Sequence, residues 1–100
     1  MKSGVNDCYE AAGRLVSTLP ARAFLVHGFV FSTKLNRMIR HAWVELDDVV
    51  YDFSNGARYK LSKKDYYREG KVEAINIYSR QQAILMLEKT RRFEWWNNDE

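Results

Sequence analysis

An α+β domain is the fold class this 100-residue sequence predicts: a cysteine-bearing N-terminal helix packed on an antiparallel sheet, with a C-terminal helix completing the core. Three observations predict it. The run from Cys8 through Leu19 is helix-compatible and stops at Pro20. Two β-rich segments, Ile39 to Leu46 and Val49 to Ser54, flank the dipeptide Asp47-Asp48. Ser79 with Gln82 has capping-box spacing and opens a helix that runs to about Arg92, with Ala83, Ile84 and Leu87 as its buried stripe. At 46% hydrophobic content, 100 residues make one domain with a core, spanning 1–100, but not two.

The elements follow in chain order. Asn6 and Asp7 are good N-caps, and Asp7 to Glu10 has capping-box spacing, so Cys8 falls in the first turn of the first helix. Ala23 to Phe31 is apolar at both parities, as in a strand covered on each side. Ser32 to Arg37 is a polar loop leading into the strand that carries His41, and Ser54-Asn55-Gly56 ends the following strand as a turn. Ser62 to Tyr67 forms a short helical turn ended by Gly70, and a strand runs from about Val72 to Tyr78. The tail Phe93 to Trp96 is apolar enough to dock on the domain or on a partner, while Asn97 to Glu100 frays.

Side-chain parity in the hairpin is informative about chemistry. A two-residue turn at Asp47-Asp48 pairs Leu46 with Val49, Val44 with Tyr51 and Ala42 with Phe53, all apolar. The other face then carries His41, Trp43, Glu45, Val50, Asp52 and Ser54. Asp52 is diagonal to His41 in that register, roughly 7–8 Å between backbones, a gap side chains close. A three-residue turn would reverse the parity and break the apolar matching.

Cys8, His41 and Asp52 are therefore the candidate catalytic residues, as nucleophile, base and orienting carboxylate. A thiol attacks a carbonyl as thiolate, so it needs a base beside it, and the base needs a carboxylate that fixes its tautomer. The first turn of a helix favours the thiolate and offers free backbone N–H groups to an oxyanion. Asn6 is either a plain N-cap or an oxyanion donor. Trp43 either lines a substrate groove or covers the His41–Asp52 bond. Glu45 is read as a solvated or salt-bridged strand residue, His27 as a structural histidine, and Trp95 with Trp96 as packing.

The stretch Asn6-Asp7-Cys8-Tyr9-Glu10-Ala11-Ala12, the strand Phe24-Leu25-Val26-His27-Gly28, and above all His41-Ala42-Trp43-Val44-Glu45 with Asp52 resemble the transglutaminase-like, papain-like cysteine peptidase superfamily. Within it the sequence is most similar to the small leader-peptide peptidases of lasso-peptide biosynthesis, over about residues 6 to 55. The resemblance implies a papain-like minimal core and a Cys8-His41-Asp52 triad. It also implies peptide-bond hydrolysis, amide transfer or deamidation without metal or organic cofactor, and a separate recognition protein as partner. Asp7 and Tyr9 stand where true transglutaminases commonly have glycine and tryptophan.

Composition narrows the function classes. A lone cysteine makes no internal disulfide, and no second cysteine or histidine cluster has zinc-ligand spacing, which suits a reducing, cytoplasmic setting. No stretch approaches the ~20 apolar residues of a membrane span. Net charge +3 and a pI near 9.1 are mild, and the basic residues are dispersed between Arg14 and Arg92, which disfavours nucleic acid as partner. Two expectations follow: a cysteine-dependent hydrolase or acyltransferase acting on a peptide, amide or ester bond, and, as the alternative, a catalytically silent domain of the same fold that modulates another protein by binding.

Overall fold

Register in the sheet follows from the parity of its apolar residues. In the structure, a computed structural model that describes residues 7–53 and 58–96, the hairpin joins β2 (Arg37–Leu46) to β3 (Val49–Asp52) through Asp47-Asp48. Its pairs are Leu46 with Val49, Glu45 with Val50 and Val44 with Tyr51. Asp47 takes a positive φ of 58°, which a two-residue hairpin requires and which aspartate tolerates. The ladder ends at Val44 with Tyr51, two pairs short of expectation: Asp52 does not pair with Trp43 nor Phe53 with Ala42, and the Phe53 ring makes a T-shaped contact with Tyr51.

Around the hairpin lie α1 (Asp7–Thr18), β1 (Phe24–Ser32), β4 (Tyr59–Ser62), α2 (Lys63–Glu69), β5 (Glu73–Ser79) and α3 (Arg80–Thr90). The sheet is antiparallel, in the order β4-β3-β2-β1-β5. β1 is interior, as its double-sided apolar pattern requires: Leu25 and His27 are buried on one face and Val26 on the other. β4 is a strand that sequence reading did not foresee. Its four residues sit at the sheet edge and are mostly exposed, so they carry no hydrophobic period.

One face of the sheet packs on the helices. Cys8, Ala12 and Val16 recur every four residues along α1 and meet Leu25, Ala42 and Val44, with Ala83 of α3 beside them. Each fully buried valine or leucine here contributes about 1.5–3 kcal/mol. α3 opens with the expected capping box of Ser79 and Gln82 and closes at Arg91 in the left-handed conformation, slightly earlier than the sequence indicated. Its packing residues are Ala83, Met86 and Leu87, with Met86 rather than Ile84 facing the core. The tail folds back: Trp96 is buried in this core, and Phe93 lies so close to α1 that a Cβ on Gly13 would come within 2.6 Å of its ring.

The opposite face is covered by α2. Val26, Trp43 and Val50 pack beneath Tyr66. Ser62 caps α2 by accepting the Asp65 backbone N–H, and Gly70 closes it, as the sequence indicated. Gly28, paired with His41, must lack a side chain: a Cβ there would press on the Glu73 carbonyl and come within 2.9 Å of the Trp43 ring.

Candidate active site

Cys8 belongs to α1, His41 to β2 and Asp52 to the end of β3. α1 packs along β2 and β3, and because β3 parts from β2 after Tyr51, the first turn of α1 reaches His41 where the ladder ends. The structure thus brings together the three residues that sequence reading selected. His41 Nε2 lies 2.8 Å from Asp52 Oδ2, the diagonal contact expected from the register. Cys8 is a second hydrogen-bond partner of the same imidazole.

The His41 and Asp52 side chains are 15% and 13% exposed, and Cys8 is 7% exposed. Burial works against a charged His41. The hydrogen bonds to Asp52 and Cys8, with the charges of both, outweigh it and push the imidazole up to about 10. The protonated imidazole is thereby favoured beside the Asp52 carboxylate.

Trp43 does not line a groove. It is 0% exposed and stacks on His41 at a centroid distance of 6.2 Å. Its Nε1–H donates to Glu45 Oε2 at 2.9 Å, and Tyr67 donates its hydroxyl to the same oxygen. Glu45 is accordingly buried rather than solvated, with Lys63 Nζ 3.3 Å away at the surface. A carboxylate on a strand face looks solvated in sequence; here a helix with two tyrosines closes over it. Asn6, the other oxyanion candidate, and the Ser54-Asn55-Gly56 turn lie outside the described residues.

Tyr66 is the site residue that sequence reading missed. Its hydroxyl donates to Asp52 Oδ2 at 2.8 Å, and its ring is almost fully buried against Trp43. Burial and the Asp52 charge push its own pKa upward, so it stays a donor. A tyrosine in a short helical turn gives no sign in the sequence of a partner on a distant strand.

A cleft of about 230 Å³ opens onto His41, Asp52 and Tyr66, walled by Val30, Phe31, Tyr59 and Leu61. His27 is a different kind of histidine. It is 1% exposed and enclosed by Tyr9, Tyr78, Trp95 and Trp96, with no acidic partner among the described residues, and burial lowers its pKa to about 4. Among the described residues no group of three or more His, Cys, Asp or Glu is placed to hold a metal ion, and no helix is long and apolar enough to cross a membrane. No family model, curated protein or solved structure matches the chain.

Proposed function

We propose that this protein is a cysteine-dependent hydrolase or acyltransferase that uses Cys8, His41 and Asp52 on a peptide, amide or ester bond. The observation that carries the reading is a single imidazole that lies 2.8 Å from the Asp52 carboxylate and has Cys8 as a further hydrogen-bond partner. The likeness of the sequence motifs to transglutaminase-like, papain-like peptidases, and to lasso-peptide leader peptidases in particular, supports it.

In this mechanism the Cys8 proton passes to His41 Nδ1, and the thiolate forms a bond to the carbonyl carbon. The carbonyl electron pair moves to oxygen, where backbone N–H groups at the start of α1 receive it. Collapse expels the amine or alkoxide, which takes the His41 proton, and leaves a thioester on Cys8. Water or a second amine then gives up its proton to His41, attacks the thioester and releases Cys8. Asp52 keeps the ring in the tautomer that presents Nδ1 to sulfur.

The cleft beside His41 is smaller than the roughly 300–1,000 Å³ that engulfs a whole small ligand, and offers room for one apolar side chain of a peptide donor. In this reading the protein works in the cytoplasm, and a separate recognition protein delivers the substrate. The test is intact-mass labelling with small peptidyl electrophiles such as aldehydes, vinyl sulfones and chloromethyl ketones across pH. One adduct per chain on Cys8, lost in Cys8→Ala and strongly slowed in His41→Ala, is expected. Labelling that ignores His41 overturns the reading.

A further inference from the structure

Two consecutive residues of α2 place hydroxyl groups on two carboxylates of the same sheet face. Tyr66 donates to Asp52 Oδ2 on β3, and Tyr67 donates to Glu45 Oε2 on β2. The first of these bonds falls on the oxygen that already faces His41 Nε2, so Oδ2 has a donor at 2.8 Å on each of two sides.

We propose that Tyr66 is a positioning residue of the Cys8-His41-Asp52 centre, its hydroxyl holding the Asp52 carboxylate in line with His41 Nε2. The inference rests on the catalytic reading of that centre given above. The physical reason for such a residue lies in the carboxylate itself. The terminal torsion of aspartate is broad and weakly restrained, and Asp52 is the last residue of its strand, so its carboxylate has a rotational freedom that hydrogen bonds to its oxygens restrict. Two converging donors remove that freedom. Tyr66 is suited to the task because its own ring cannot move: it is 7% exposed, 5.5 Å from the Trp43 ring and part of the cluster with Val26 and Val50. Tyr67 acts elsewhere, since Glu45 touches Trp43 and Lys63 rather than His41.

The groups facing His41 are Cys8 from α1, Asp52 from β3, Tyr66 from α2 and Trp43 from its own strand. The chain has two histidines, so long-range ¹H–¹⁵N spectra of the labelled full chain report both imidazoles, and His41→Ala assigns them. In the wild type, the His41 midpoint should lie well above the ordinary histidine value, with a slowly exchanging Nε2–H. Tyr66→Phe should lower the midpoint by about one pH unit, the size expected for loosening a hydrogen bond to a charged group, and speed Nε2–H exchange about tenfold. Tyr67→Phe should leave both unchanged.

A Tyr66→Phe midpoint that stays put or rises overturns the positioning role while leaving the catalytic centre intact. A wild-type His41 that titrates near the ordinary value removes the catalytic reading, and this proposal with it. A wild-type measurement guards against a variant that fails to fold: the Tyr66 hydroxyl proton should exchange far more slowly than that of the exposed Tyr59. Equal exchange overturns the proposal.

Discussion

His27 and His41 sit on neighbouring strands, both shielded from solvent, yet burial takes them in opposite directions. His27 is enclosed by aromatic rings, its Nδ1 has no hydrogen-bond partner among the described residues, and its pKa falls to about 4. His41 has the Asp52 carboxylate and Cys8 as hydrogen-bond partners, and its pKa rises to about 10. Desolvation is common to the two; what differs is whether anything nearby stabilises the cation. Burial alone therefore says nothing about which histidine is functional. The partner set does.

The largest expected effect separates the two directly. On any substrate found by electrophile profiling, Cys8→Ala and His41→Ala should each reduce turnover by on the order of 10³-fold or more, because members of such a centre act as a unit. His27→Phe, which keeps the aromatic packing, should leave turnover near wild type. Comparable losses in steady-state kinetics for the two histidine variants would erase the distinction.

Next comes the carboxylate that makes the difference. Asp52→Asn should lower turnover by less than Cys8→Ala if part of the ring orientation survives, and should bring the His41 midpoint down toward that of an ordinary histidine. An unaltered NMR titration of His41 would mean that Asp52 is not what sustains its charge.

Stability against pH should show the opposite signs. A His41 raised when folded contributes stability that is fully present below the unfolded value of about 6.5 and is lost as pH climbs toward about 10. His27, lowered when folded, contributes nothing adverse above about 6.5 and destabilises as pH falls from there to about 4, by on the order of 3 kcal/mol. Thermal melts of His27→Phe should therefore lose part of the acid limb while keeping the alkaline one. Parallel pH profiles for His27→Phe and wild type would show that His27 is not a buried neutral imidazole.

The smallest effect concerns the second carboxylate. Glu45→Gln keeps an oxygen for Trp43 and Tyr67 and loses only the charge facing the half-exposed Lys63, so it should cost about 1 kcal/mol or less and leave His41 unmoved. A loss of several kcal/mol by denaturant titration would indicate that the ion pair itself holds α2 down.

Legibility followed distance along the chain. The hairpin could be read because its two apolar sets match in only one parity, and a two-residue turn then dictates which side chains share a face; the His41–Asp52 bond comes with it. The first-turn position of Cys8 and the Ser79–Gln82 cap were equally local. What failed was long-range or featureless: β4 has too few residues for a period, Ile84 gave its core place to Met86, and Phe53 left the ladder at the strand end. Glu45, read as solvated or salt-bridged, does pair with Lys63, but nothing on its own strand reveals the helix that buries it.

By itself the sequence determined the hairpin register, the helix that carries Cys8 and the shared face of His41 and Asp52, since parity, capping and turn chemistry act over a few residues. Only the tertiary structure decided that α1 brings Cys8 beside His41, that Tyr66 bonds Asp52, and that Trp43 is sealed from solvent. Those contacts join elements far apart in the chain, and their geometry follows from how the two faces of the sheet are covered, which no local pattern encodes.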